Sequence, residues 1–134
     1  MMEFAVPRAA DRFGLAVAML AAVFSLIATF ASAQDIPAAA TQEAETVWQQ
    51  RCTTCHGAAG KGDGAAAVAL NPKPRDLSSA EWQASVTDEH VEKVILDGGQ
   101  AVGLSMLMVA NPDLASKPDV IKALRAHVRA LAAK

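Results

Sequence analysis

The most constraining feature of this 134-residue chain is one short stretch, Cys52-Thr53-Thr54-Cys55-His56. Positions i, i+3 and i+4 of a helix lie on the same face, so a helical conformation brings both thiols and the imidazole to one side. These two cysteines are the only cysteines in the chain. The motif therefore offers two thiols and one imidazole to a single bound group.

Three kinds of site use cysteines at this spacing. A thioredoxin-type disulfide accompanies alternating strands and helices, and no strand-like run of Val, Ile and Thr follows the motif. A structural zinc ion needs four ligands, and outside the motif the chain offers only His90 and His127 as histidine or cysteine ligands. The pattern is also the attachment signature of haem c, with Cys52 and Cys55 as thioethers and His56 as the proximal iron ligand. Haem attachment is favoured, with thiol redox chemistry and zinc as the alternatives.

The N-terminal segment has the features of a signal peptide. Two arginines precede an uncharged apolar run that ends in Ala31-Ser32-Ala33, an Ala-x-Ala cleavage pattern. We therefore predict a signal peptide over residues 1–33 and a mature domain over residues 34–134, exported to the periplasm. The apolar run approaches the roughly 20 residues that can span a bilayer, so an uncleaved membrane anchor is the alternative.

Composition limits the classes of partner. The mature part of about 100 residues is enough for one small domain with a thin core. The formal net charge is −2, and the chain has neither a basic run nor an aromatic stacking platform, so no nucleic-acid binding is expected. The only membrane signal is the N-terminal segment, and no feature indicates an oligomeric state.

Apolar periodicity and terminal signals predict three main helices and no sheet. The first begins at a Thr41 cap and carries an apolar stripe into Cys52. The second begins near Thr87 and ends at Gly98, and the third uses Ser116 as its cap. Shorter helical turns are expected between them.

The loops that follow the motif carry candidate supporting groups. The glycine-rich loop directly after the motif predicts positive φ angles or close backbone approach. Pro72 or Pro74 is a candidate to present a backbone carbonyl to the second ring nitrogen of His56, and the alternative is that both prolines only stiffen a surface loop. Arg75 and Trp82 are candidate donors to a haem propionate, or else an ordinary solvated charge and a core residue.

The loop before the last helix supplies candidates for a sixth iron ligand. A methionine thioether opposite histidine is the usual ligand set in electron-carrying haem c proteins, and it raises the reduction potential. Met106 and Met108 both lie in this loop, and the methionine that does not bind iron would pack as a flexible gap-filler. A bis-histidine alternative uses His90 or His127.

The order of these features resembles the class I c-type cytochrome family, the small single-haem bacterial cytochromes c. The resemblance covers essentially all of the mature chain, and its most specific element is Cys-x-x-Cys-His. It implies an all-α fold of three to five short helices around one covalently bound haem c. The stretch from Gly98 to Met108 is similar to family members that read Gly-Gly…Gly-x-Ser-Pro-Leu-Met-Pro, a register that places the axial ligand at Met108.

Two positions depart from the family pattern. The family usually has proline directly after the ligand methionine, whereas this chain has Val109, which leaves Met106 as the alternative ligand. The family also usually has an aromatic residue on the last helix, and here His127 stands about where a tyrosine would be. Either the helix contact there is looser or His127 stacks on Trp48.

The resemblance implies a one-electron carrier rather than an enzyme, with transient redox protein partners that dock at an exposed haem edge. Two alternatives remain from the sequence. The protein is a haem subunit of a larger oxidoreductase, or it is a ligand-binding or peroxidase-like haem protein with a labile methionine. The departure at Val109 is the feature that motivates the second alternative.

Overall fold

The helix that leads into the cysteine motif starts earlier than its sequence signals indicate. In the computed structural model, which describes residues 36–133, helix α1 spans Ala38–Val47, with Pro37 at its N-terminal cap position. The predicted cap, Thr41, lies inside the helix, where its N–H donates to the Pro37 carbonyl at 3.1 Å. Three alanines with high helix propensity extend α1 backwards by one turn, which explains the error.

A π-helical turn connects α1 to the cysteine motif. It spans Trp48–Cys52, and the single-turn helix α2 follows directly at Thr53–His56. The Thr53 N–H donates to the Trp48 carbonyl five residues earlier, which is the wider repeat of a π-helix. Gly57 ends α2 with a φ of 76°, a conformation that glycine adopts without steric cost.

The remaining helices agree with the predicted order. Helix α3 spans Ala80–Ser85, α4 spans Asp88–Asp97 and α5 spans Pro118–Ala130. Short 3-10 turns accompany these helices at Ala67–Ala69, Gln100–Val102, Pro112–Ser116 and Leu131–Ala133. Residues 36–133 contain no strand, so the predicted all-α fold of three to five short helices is confirmed.

Of the two caps predicted for the later helices, the structure confirms one and corrects the other. The Thr87 side chain accepts a hydrogen bond from the N–H of His90 and caps α4 as predicted. Ser116, the predicted cap of α5, instead ends the preceding 3-10 turn, and Lys117 takes the cap position without a side-chain hydrogen bond. Pro118 then begins the helix, because its missing N–H needs no intrahelical partner there.

Helices α1 and α5 pack against each other and form most of the core. Trp48 and Leu124 are almost completely buried, at 2% and 1% exposure. The ring of His127 on α5 lies 4.5 Å from that of Trp48 between centroids, so the histidine stacks on the indole. Among the described residues, no polar or charged side chain is fully buried. The core is therefore apolar, and of the two expectations for this helix contact, the packing of His127 on Trp48 is observed.

The predicted signal peptide, residues 1–33, lies outside the described residues and stays a prediction. Within residues 36–133, no helix is both long enough and apolar enough to cross a membrane.

A carboxylate on α4 holds α4 against α5. Asp88 accepts hydrogen bonds from Arg129, at 2.8 Å, and from Arg125. Arg129 also donates to the carbonyls of Gln83 and Val86, at 2.7 and 2.8 Å. The hydrogen bond from Arg129, followed by that from Arg125, lowers the pKa of Asp88 below its usual value.

The depressed pKa of Asp88 makes a pH-dependent contribution to stability. A carboxylate with a lowered folded-state pKa stabilises the fold above its unfolded pKa of about 3.9, and this contribution is lost as the pH falls through the folded-state value. Because the Asp88 side chain is 40% exposed, we expect Asp88→Asn to cost less than about 1 kcal/mol. Urea unfolding at about pH 6 and about pH 3 should show the difference between variant and wild type shrinking at the lower pH. An equal difference at both values would contradict this account.

Candidate functional site

One apolar cleft contains both His56 and Met108. The cleft is partly open to solvent, and its walls are almost entirely apolar. The π-helical turn, α4, α5 and the Met loop, defined as residues 98–111, all contribute to its walls. The residues that line it are Val47, Trp48, Cys52, His56, Ile95, Met108, Asn111, Leu124 and Val128.

The imidazole of His56 is oriented by a backbone carbonyl. Its Nδ1 lies 3.3 Å from the carbonyl oxygen of Arg75, so the ring donates from Nδ1 and keeps Nε2 for a metal ion. Burial lowers the pKa of His56, and the Arg75 carbonyl only partly opposes that effect. The neutral imidazole, which is the form that binds metal, is therefore favoured near neutral pH. The prediction that Pro72 or Pro74 supplies this carbonyl is wrong, because the acceptor belongs to the next residue along.

A glycine in the loop after the motif allows that carbonyl to reach His56. The Gly62 N–H donates to the His56 carbonyl at 2.8 Å, and Gly62 has a φ of 73°. A Cβ atom at this position would collide with the carbonyl oxygen of Pro74. Gly62 therefore permits the close approach of the segment that carries the Arg75 carbonyl, which confirms the predicted role of the glycine-rich loop.

Cys52 lies in the π-helical turn and Cys55 in α2. Cys52 lines the cleft, whereas Cys55 is partly buried in α2 but is not among the lining residues. Burial raises the pKa of the Cys52 thiol to about 11. Since the thiolate is the nucleophile in disulfide exchange, this protonated thiol is poorly suited to the thioredoxin-type alternative.

The two candidate methionines differ in their surroundings. Met108 is partly buried and lines the cleft with His56, whereas Met106 is 69% exposed at the surface. The alternative histidines lie elsewhere. His90 is in the first turn of α4, and His127 stacks on Trp48 with its Nδ1 3.1 Å from Glu45. Neither histidine lines the cleft.

The residues at the cleft fit a covalently attached haem. The lining is almost entirely apolar, and it includes an imidazole, a thiol and a thioether, all of which suit an iron porphyrin. The buried indole N–H of Trp48 has no hydrogen-bond partner among residues 36–133. A buried donor without an acceptor costs free energy, so a bound group that offers an acceptor would be stabilised there.

The candidate propionate donors lie away from this lining. Trp82 is partly buried and packs against the core, which agrees with its interpretation as a core residue. The side chain of Arg75 is exposed, as expected of a solvated charge. Arg75 contributes through its backbone carbonyl instead. The lining includes one polar residue that no sequence pattern indicated, Asn111.

Comparison with known families agrees with this geometry. The family model for cytochrome c matches residues 41–132, which is more than half of the chain. The chain belongs to the cytochrome c family. Members of this family bind haem c covalently and transfer electrons through it, and they are generally carriers rather than enzymes. No curated protein matches the chain. The cofactor expected from the cysteine motif is thereby confirmed for this cytochrome.

The close approach at Gly62 can be tested against a matched glycine. Gly62→Ala forces a side chain into the positive-φ region and against the Pro74 carbonyl, whereas Gly103→Ala has a similar φ of 75° with nothing within 4 Å. We expect Gly62→Ala to lower the free energy of unfolding by more than about 1 kcal/mol. Gly103→Ala should cost less, because it adds backbone strain alone. Chemical denaturation of the two variants measures the difference, and equal losses would rule out the collision.

Proposed function

We propose that this cytochrome is an exported, periplasmic one-electron carrier in which His56 and Met108 bind the iron of a haem c attached to Cys52 and Cys55. The observation that supports it best is the shared cleft. His56 follows the cysteine motif, Met108 belongs to a separate loop, and both side chains line one apolar space. The signal peptide predicted over residues 1–33 supports export, since such a segment directs a chain out of the cytoplasm.

Haem c, once attached, supplies an iron that alternates between the ferric and ferrous states. The residues of the chain hold that iron in a constant environment. The Arg75 carbonyl fixes the ring orientation of His56 and raises its basicity as a ligand, while the neutral thioether of Met108 favours the reduced state. The apolar lining limits the access of water. With His56 and Met108 as iron ligands in both oxidation states, little rearrangement would oppose electron transfer.

Met108 is preferred over Met106 because of burial. A ligand on iron is withdrawn from solvent, and Met106 is 69% exposed whereas Met108 lines the cleft. The family register supports the same choice. Partners would be redox proteins that dock transiently, since electron transfer requires only brief contact over a small interface.

A pair of matched variants tests the ligand assignment. In oxidised protein, Met108→Ala should abolish the weak charge-transfer band that methionine ligation gives to ferric haem. Met106→Ala removes the same side chain two residues earlier and should leave that band intact. Absorption spectra of the two purified variants measure the effect. The reverse pattern would move the ligand to Met106.

The same variants separate a carrier from a ligand-binding haem protein, the alternative suggested by Val109 and by the exposure of the Met loop. Reduced wild-type protein should show no spectral shift with carbon monoxide, because its sixth position is filled. Reduced Met108→Ala should bind carbon monoxide readily. Rapid and complete binding by the wild type would favour the ligand-binding function.

A further inference from the structure

Arg51, which directly precedes the first haem cysteine, reaches across to the end of the Met loop. Its two terminal nitrogens donate to the two carboxylate oxygens of Asp113, each at 2.9 Å. Nη1 also donates to Oδ1 of Asn111 at 3.2 Å. A bidentate guanidinium–carboxylate pair is charge-assisted and fixes the relative orientation of its two partners. Arg51 therefore connects the haem-attachment segment to the chain that follows Met108.

Asn111 connects the same point to α4. Its backbone N–H donates to the Leu96 carbonyl at 2.9 Å, and its side-chain Nδ2 donates to the Ile95 carbonyl at 2.8 Å. Asn111 also lines the cleft beside Met108. With both ends of its amide engaged, Asn111 holds the end of the Met loop between the last turn of α4 and Arg51.

The rest of the Met loop has weaker attachments. No charged residue occurs from Gly98 to Ala110, and Leu104, Met106 and Val109 are exposed at 54%, 69% and 69%. The Gly99 N–H donates to the Met108 carbonyl at 2.8 Å, a bond that closes the loop on itself. Proline would fix φ at the position after Met108, but Val109 leaves it free. The Met108 N–H donates within the loop, to the Ser105 carbonyl at 3.2 Å, whereas the loop bonds to α4 at its two ends, through Gly98 and Asn111. The position of Met108 in the fold therefore depends on how the ends of the loop are held.

We propose that Arg51 is a positioning residue for the Met108 ligand. By holding Asn111 and Asp113 against the haem-attachment segment, it fixes the C-terminal end of the Met loop and slows the departure of the Met108 thioether from iron. The inference rests on the proposed His56/Met108 ligation. It assigns to Arg51 part of the restraint that a proline at position 109 would supply.

The chain offers a matched control. Lys122 and Asp119 form another surface ion pair, 3.3 Å apart within α5, with side-chain exposures of 37% and 50%. The corresponding exposures are 43% for Arg51 and 52% for Asp113. Lys122→Gln removes a surface ion pair of similar exposure but leaves the contacts of Arg51 and Asn111 in place. Any effect specific to the Met loop should therefore be absent from that variant.

The experiment measures how readily an external ligand replaces methionine in the oxidised holoprotein. Excess imidazole is added, and the loss of the methionine charge-transfer band is followed with time. We expect Arg51→Gln to accelerate the displacement by about two- to fivefold, the range that an exposed ion pair can account for. Asp113→Asn, which keeps the contact between Arg51 and Asn111, should accelerate it less, and Lys122→Gln should match the wild type. Added salt should accelerate displacement in the wild type more than in Arg51→Gln, because screening weakens the ion pair.

Equal displacement rates in Arg51→Gln and Lys122→Gln would overturn the positioning role while leaving the ligand assignment intact, provided that Met108→Ala has lost the band. If Met108→Ala instead retains the band and binds imidazole at the wild-type rate, Met108 is not the ligand. That result overturns the proposed function and, with it, the role of Arg51. The two failures are thus distinguishable with the same set of proteins.

Discussion

The packing of Trp48 between α1 and α5 determines where the haem-attachment motif lies. Trp48 stands four residues before Cys52, is almost fully buried, and stacks on His127 of the last helix. Its ring centroid is also 6.5 Å from that of His56. The indole is fixed on one side by α5. The π-helical turn that begins at Trp48 therefore directs Cys52 towards the cleft, and α2 directs His56 there. Trp48 therefore belongs both to the hydrophobic core and to the wall of the candidate haem site.

Local sequence signals were sufficient for the parts of this structure that depend on neighbouring residues. The spacing of Cys52, Cys55 and His56, the Thr87 cap and the glycine at the end of α4 each involve contacts within one helical turn. The start of a helix was harder to predict where a good cap residue lies close to other residues that favour helical turns. Thr41 and Ser116 are good cap residues, but an alanine run extended α1 and a 3-10 turn displaced the start of α5.

The supporting contacts of the site could not be predicted from local patterns. The carbonyl that orients His56 belongs to Arg75 rather than to a neighbouring proline, because Gly62 determines which part of the loop comes close. The contact between Arg51 and Asn111 could not be predicted from local patterns either. The two residues are separated by 60 positions in the sequence, and no periodicity relates them. The family resemblance indicated which residues would bind the haem, whereas these contacts depend on how this particular chain packs.

The most direct test of the central claim is the mass of the mature protein made in a host that attaches c-type haem, together with the mass of its Cys52–His56 peptide. The account predicts one haem per chain that survives denaturation and is carried by the peptide containing both cysteines. An unmodified peptide with two free thiols, from a chain folded under the same conditions, would contradict it.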